Sequence, residues 1–349
     1  MSKRVLIVAP SQGAWGGMEA FALNLAGYLK DHSGFKVKIC LKLVGGYSLT
    51  PGLRRILDES GVENSIVARS SISLLKEIAW ADIVHGQNAS PDICFAAKIL
   101  NKRLVLTIHN HMHNRRGLRV AVWKISARLA NRVWFNSNFV RSSWTRQAAS
   151  VKSQVVFTAS EIQFDFAPIE ERIGFVFVGR WIPGKGIRTL IKAYSQAGLC
   201  PKLHPLVMLG EGPILGECVE LVRSNSIQGI QIRGFVSNAE KHECIRRARW
   251  LIAPPNTNED MGLTPLEARS HGVPCIVTRD GGLEEVAGKS ALTCAPGDIS
   301  DLSHALKTAT DMSTIEYIER SQETFNSLQS NWQGFSFYPV AYSQVLGIK

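Results

Sequence analysis

Residues Trp250–Thr278 read WLIAPPNTNEDMGLTPLEARSHGVPCIVT. The four apolar residues Trp250–Ala253 have the length and composition of a buried strand, and the two prolines that follow end it. A polar loop runs to Gly262, a helix is expected to begin near Leu263, and Pro274–Thr278 is again a short apolar run. Strand, loop, helix and strand in that order form a parallel β-α-β unit, whose crossover is right-handed.

The alternation repeats in both directions along the chain. Upstream, strands are expected at Arg4–Ala9, Lys36–Leu41, Ile66–Ala68, Asp82–His85, Leu104–His109, Arg132–Asn136 and Gln154–Phe157. A Gly-rich turn (Gly13–Gly17) and a helix (Met18–Leu29) follow the first of them. The pattern falters from Thr158 to Arg172, a linker carrying Pro168. It restarts with strands at Ile173–Val178, Leu206–Leu209, Ile230–Ile232, Trp250–Ala253, Pro274–Thr278 and Ala291–Thr293. The fold class expected is α/β, with two Rossmann-like domains, 1–165 and 173–330, and a site in an interdomain cleft at the carboxyl ends of the strands. A helical tail, 331–349, follows, with Pro339 in the first turn of a last helix; its return to the first domain is left open. A length of 349 residues accommodates two such domains. No run approaches the roughly 18–20 apolar residues of a spanning helix, and the N-terminal run is too short for a signal peptide. The seven cysteines are dispersed, with no C-x-x-C pair, and a cytoplasmic location is expected.

Charge is uneven. Up to Ser160 there are 22 Lys/Arg against 8 Asp/Glu, which leaves 18 against 21 of the totals of 40 and 29 for the remainder. From Ile93 to Ser160 no acidic residue occurs, whereas Arg115, Arg116, Arg119, Lys124 and eight further cations do. Such a field attracts phosphate-rich partners: anionic lipid, a phosphorylated glycolipid or nucleic acid. Within it, GLRVAVWKISARLA (117–130) is expected to be an amphipathic helix. Two apolar sets fall at helical spacing there: Leu118, Val122, Ile125 and Leu129, expected to pack on the sheet, and Val120, Trp123 and Ala127, which also suit a core. Arg115, Arg116, Arg119 and Lys124 would then face an acceptor or a membrane surface.

The loop and helix of the opening segment carry two glutamates, Glu259 and Glu267, on either side of Gly262. The backbone N–H groups of Met261, Gly262 and Leu263, at a helix N-terminus, are ready for an anion. Two carboxylates flanking an anion site suit a nucleotide sugar, whose hydroxyls lie on both sides of a diphosphate.

From Glu259 to Pro274 the sequence resembles the retaining glycosyltransferases of family 4, with their E-x7-E motif and later Gly-x-Pro. The resemblance continues in FVGRWIPGKGIRTLIKAY, in VMLGEGP (Val207–Pro213), in IRGFVS (Ile232–Ser237) and in Gly281–Gly282 with Glu284–Glu285. In the first half it takes in Gly16-Gly17-Met18-Glu19 and LTIHN (Leu106–Asn110). It implies a GT-B fold, with an N-terminal acceptor domain and a C-terminal nucleotide-sugar domain. It also implies a hexosyltransferase (EC 2.4) that retains anomeric configuration and makes a cell-surface polysaccharide.

The chemistry it implies assigns Arg180 and Lys185 to the leaving diphosphate, where fixed cations stabilise growing charge. It gives Glu267 the ribose hydroxyls and Glu259 the hydroxyls of the transferred sugar. Gly16 and Gly17 approach the donor from the other domain, Met261 walls the sugar pocket, and His109 contacts the donor sugar or the acceptor hydroxyl. The donor is expected to be a UDP-sugar, with no cofactor or metal ion. The acceptor is expected to be a lipopolysaccharide, capsule or lipid-linked glycan, met at the inner face of the membrane. His109, His111 and His113 alternate but have no carboxylate or cysteine beside them, which argues against a metal centre. Two positions depart from the family pattern: Met261 replaces the usual aromatic, and Thr158-Ala159-Ser160 replaces the usual Asn-Gly. Two rival readings remain: a sugar-nucleotide epimerase of the same shape, and a nucleic-acid-binding protein that uses Trp123, Trp134 and Trp144 among the cations.

Overall fold

The computed structural model describes residues 2–113, 115–144, 153–157 and 162–348. The chain divides into two compact units, Met1–Glu161 with Gln333–Lys349, and Ile162–Trp332. The Thr158-Ala159-Ser160 departure lies outside the described residues.

The first unit contains, in chain order, β1 (Arg4–Ser11), α1 (Gly17–His32), β2 (Lys36–Leu43), α2 (Pro51–Glu59), β3 (Glu63–Ala68), α3 (Ile72–Trp80) and β4 (Ile83–Gln87). There follow α4 (Pro91–Ile99), β5 (Arg103–Ile108), α5 (Leu118–Arg128), β6 (Arg132–Phe135), α6 (Asn138–Trp144) and β7 (Ser153–Val155). The strands form one parallel sheet in the order β3-β2-β1-β4-β5-β6-β7, so the winding reverses between β1 and β4. β1 is buried on both faces, Val5 to Ala9 being fully enclosed, as a central parallel strand covered by helices must be.

The second unit contains β8 (Phe175–Val178), α7 (Ile187–Ala197), β9 (Leu206–Leu209), α8 (Leu215–Ser224), β10 (Ile230–Gly234), α9 (Asn238–Arg247) and β11 (Trp250–Ala253). It continues with α10 (Leu263–Ser270), β12 (Cys275–Thr278), α11 (Leu283–Ala287), β13 (Leu292–Cys294), α12 (Ile299–Asp311) and α13 (Thr314–Asn331). Its sheet repeats the topology, β10-β9-β8-β11-β12-β13, again parallel and again reversing between the first and fourth strands.

The chain then returns to the first unit through α14 (Phe337–Leu346), which holds Pro339 in its first turn. Tyr338 and Tyr342 on α14 are fully buried against His85 and Trp134 of the first sheet. Aromatic area of that kind fixes the tail to this unit.

The segment just after residue 161 was expected in the first domain or a linker, but it packs on the second unit. Asp165 and Ala167 donate backbone N–H bonds to Ser270 and His271 carbonyls (3.0 and 3.2 Å). Buried Arg172 holds this segment in place: its guanidinium donates to the carbonyls of Ala167, His271 and Gly272 and to Ser321 Oγ at 2.6–2.9 Å. These acceptors take up the N–H groups of both terminal nitrogens of the buried guanidinium, while Nε has no partner among the described residues.

α5 turns a different face inward from the one expected. Val120, Trp123, Ala127 and Leu129 pack on the core, while Leu118 is 82% and Ile125 47% exposed. The bulk of Trp123 decides the orientation, because burying an indole removes more apolar surface from water than burying Leu118 or Ile125.

Candidate active site

In doubly wound sheets the ligand crevice lies outside the carboxyl ends of the strands, where the winding reverses. In the second unit that point falls between β8 and β11. The loop after β8 carries Arg180 and Lys185, and the loop after β11 carries Glu259. Close backbone contact locks the two loops together. Gly186 has φ +70°, and a Cβ there would lie 1.7 Å from the carbonyl oxygen of Pro254. Asn256 donates its N–H to the carbonyl of Gly184 at 2.9 Å. From beyond β12, the Asp280 carboxylate accepts the N–H groups of Thr257 (2.9 Å) and Asn258 (2.8 Å). Gly281 has φ +62°, and a Cβ there would stand 2.0 Å from the carbonyl of Glu259. The Gly281–Gly282 pair thus has a structural reason, since it lets the next loop close over the backbone of Glu259.

This scaffold gathers the charged residues into two pairs. The Lys185 ammonium is ion-paired with Glu259, and both side chains are about three-quarters covered. Lys241 on α9 reaches Glu267 on α10, with Nζ 2.7 Å from Oε1, and these side chains are 19% and 12% exposed. The other oxygen of Glu267, Oε2, is buried and has no partner among the described residues. A buried carboxylate oxygen without a donor is costly to keep, and it can accept a further hydrogen bond. Arg180 is exposed and makes no ion pair with any described residue. Met261 is buried, and Gly262 is the N-cap of α10, with no side chain to cap the first turn. Leu263 opens the helix, so Glu267 sits just beyond its first turn. The structure therefore brings Lys185 to Glu259, and Met261, Gly262 and Leu263 to the loop end beside them.

Sequence reasoning missed Lys241 and Asp280. Ser237 and Glu240 form a capping box that starts α9, but nothing in the sequence tells that Lys241 in its first turn meets a glutamate 26 residues away. The Asp280 contacts are likewise set by the sheet.

In the first unit Gly16 is the N-cap of α1, with extended backbone (φ −156°), and Gly17 opens the helix. A Cβ at Gly16 would meet only Glu19 Oε2, at 3.1 Å. The local conformation does not demand glycine there. His109 follows β5. Its Nε2 lies 2.7 Å from Gln87 Oε1, its backbone N–H donates to Asn88 Oδ1 (2.9 Å), and its ring meets Phe21 edge-on. Enclosure of the ring pushes its pKa down to about 4. With Nε2–H donating to Gln87, the imidazole is neutral at pH 7 and offers Nδ1 as an acceptor. His111 and His113 pack on Phe139. Among the described residues no group of His, Cys, Asp and Glu is placed to hold a metal ion.

The basic stretch is divided by α5. Arg115 and Arg119 line a cavity with Trp123, whereas Arg116, Lys124 and Arg128 lie with Ile125 on the outer side of the helix, which Arg115 also borders. Trp134 and Trp144 are buried, and Trp123 packs on the core, so the Trp residues offer no row of exposed stacking surfaces for a nucleic acid.

Two parallel, doubly wound units with charged loops at the second reversal point define a GT-B protein. The solved structures agree: Anabaena HepE, crystallised with UDP, superposes with a TM-score of 0.78 at 15% identity over 99% of both chains. A glycosyltransferase from Rickettsia africae gives 0.78 at 19% identity, again over 99% of both. Residues 15–158 match the model for Glycosyltransferase Family 4, and residues 172–311 that for glycosyl transferases group 1. Together these matches place the chain among the family 4-type glycosyltransferases, a family of transferases (EC 2.4). An uncharacterized glycosyltransferase of Methanocaldococcus jannaschii is 23% identical over 64% of each chain. The O-antigen chain mannosyltransferase B of Escherichia coli is 29% identical over 45% of this chain and 42% of its own. The match thus spans about two fifths to two thirds of the length of these curated relatives. No described helix is long and apolar enough to cross a membrane.

Proposed function

We propose that this chain transfers a hexose from a UDP-sugar to a phosphate-bearing, lipid-linked or cell-surface glycan, with retention of anomeric configuration. The observation that carries the proposal is the pair of lysine–glutamate contacts at the reversal point of the second sheet. A diphosphate arriving there draws Lys185 away from Glu259 and finds Arg180 without an ion-pair partner among the described residues. Glu259 is then released to accept hydroxyls of the sugar. The ribose hydroxyls go to Oε2 of Glu267, while Lys241 holds Oε1. Arg180, Lys185 and the start of α10 balance the diphosphate charge, so the chemistry calls for no metal ion. No second carboxylate can be nominated as a nucleophile, which favours attack on the donor face that the phosphate leaves.

Relatives and neighbours support the donor and acceptor classes. HepE has been solved with UDP-glucose as well as UDP, and a mannosyltransferase of O-antigen chains is among the sequence relatives. A lipopolysaccharide outer core galactosyltransferase shares the fold at a TM-score of 0.69. None of these names is an epimerase, which disfavours that reading. The test is nucleotide release from a panel of UDP- and GDP-sugars, with and without bacterial lipid extract as acceptor. Release of UDP that rises with the extract is expected. Interconversion of sugar nucleotides without acceptor would overturn the proposal.

The outer face of α5 suits a lipid surface better than the expected arrangement did, because Leu118 and Ile125 stand among cations instead of beneath them. Each cation contributes about 1 kcal/mol near an anionic membrane, and buried apolar side chains add a part that salt does not screen. The chain is expected to float with anionic vesicles and not with neutral ones. Flotation should fall on replacing Arg116 and Lys124 by Ser, and retain less salt resistance on replacing Leu118 and Ile125. Equal binding to neutral vesicles, or none to either, would sink this part.

A further inference from the structure

We infer that the first unit holds a phosphate-binding site of its own, in the cavity at the carboxyl ends of β1 to β5; resting on the transferase reading, this is where a phosphate group of the acceptor would sit. The cavity measures about 310 Å³ and lies at the unit's own winding reversal, where such sheets place ligands. Three guanidiniums border it: Arg69 beyond β3, Arg115 before α5 and Arg119 on α5. All three are exposed, and none is ion-paired with any described residue. Among the described residues no carboxylate belongs to the lining.

The floor of the cavity is built from buried groups. Lys42, at the end of β2, is 1% exposed and has its Nζ 2.7 Å from Asp92 Oδ1. The same carboxylate accepts the N–H of Ser70 at 3.1 Å through Oδ2. Ser70 has φ +54°, a conformation that serine rarely adopts, so the contact to Asp92 fixes the turn that presents Arg69. Lys42 and Asp92 neutralise one another, which leaves the three guanidiniums to set the charge of the cavity. Arg119 is also stacked over Trp123, 4.9 Å from the ring centroid, which restricts its reach.

Three forks with no ion-pair partner among the described residues repel one another around one space until an anion enters, and the guanidinium fork matches phosphate oxygens two at a time. Trp123, Trp144 and Met112 supply apolar surface beside the cations, as the ring of a phosphorylated sugar would need. A carboxylate ligand would use one fork; a phosphate or pyrophosphate uses all three.

The test is calorimetric titration of the full chain with inorganic pyrophosphate and with glucose 6-phosphate, each in saturating UDP so that any donor site is filled. Wild type is expected to bind one equivalent. Arg69→Gln and Arg119→Gln, both at exposed positions, should each weaken binding by about tenfold or more. UDP affinity, measured on the same samples, reports separately on the second unit. If UDP fails to bind, the transferase reading falls. If UDP binds but pyrophosphate does not, or binds equally well to the variants, the inference alone falls. Phosphatidylcholine vesicles carrying a polyprenyl pyrophosphate separate the sources. Competition by these vesicles assigns the site to a lipid-borne group, and competition by glucose 6-phosphate alone assigns it to a soluble phosphosugar; either result supports the site.

Discussion

Replacing Arg180 or Lys185 by alanine is expected to lower kcat by roughly 10²–10³-fold while raising KM far less. The reason is the timing of the charge. Breaking the bond from the anomeric carbon to the diphosphate builds negative charge on the leaving oxygens, and a fixed cation is stronger against the transition state than against the bound donor. The two residues should differ in one respect. Arg180 makes no ion pair with a described residue, so its loss leaves no charge stranded. Loss of Lys185 leaves Glu259 without its counter-ion, and that carboxylate then repels the diphosphate. Lys185→Ala should therefore also weaken UDP binding, and adding Glu259→Gln should restore part of that binding without restoring kcat. If the two cations act on the same oxygens, the double variant Arg180→Ala/Lys185→Ala will lose less than the product of the two single effects. Steady-state kinetics with the active donor, together with UDP titration, check each statement. An effect on KM alone would make the pair a ground-state anchor.

The fold was legible because each strand is a short apolar run bounded by glycine, proline or polar residues, a signal that needs no tertiary information. Trp250–Ala253 and Leu206–Leu209 fall where the sequence places them, and each other strand differs at one or both ends by one to three residues. The start of α10 at Leu263 was legible for the same reason. Which way a helix turns was not. α5 carries two apolar stripes, and only the rest of the unit decides that Trp123 goes inward and Leu118 outward. Partners of the charged residues were equally hidden. Glu267 and Lys241 meet because α9 and α10 run beside each other, and Lys42 meets Asp92 because β2 ends and α4 begins on the same side of the sheet. Both pairs join residues at least 26 apart in sequence, a distance over which no local pattern carries information. The basic stretch likewise read as one field. The structure distributes it between a cavity and a helix face, two surfaces with different chemistry.

Acid should weaken the first unit well before its carboxylates are protonated. His85 lies fully buried in β4, with Nδ1 2.7 Å from Tyr342 Oη and Nε2 2.7 Å from Thr107 Oγ1. Burial pushes its pKa down to about 3, and that of His109 down to about 4, from an ordinary value of 6.5. Both folded values are depressed, so the folded chain refuses protons that the unfolded chain takes up. The stability that these groups confer is present in full above pH 6.5 and is lost as pH falls towards 4. Each costs about 1.4 kcal/mol per pH unit in that window. By pH 4.5 the two together remove up to about 5 kcal/mol, a figure comparable with the whole stability of many domains. Urea unfolding at pH 7.0 and 4.5 measures the loss, with Trp134 as a reporter, since its ring meets His85 edge-on at 5.3 Å. His204 and His271 in the second unit shift in the same direction, so the difference between wild type and His109→Asn isolates one group. That variant keeps a donor for Gln87 and should lose close to half of the pH dependence reported by Trp134. An unchanged slope would mean that His109 titrates as an ordinary exposed histidine. It could then carry a positive charge at mildly acid pH, and its part in the site would be that of a cation instead of a neutral hydrogen-bonding partner.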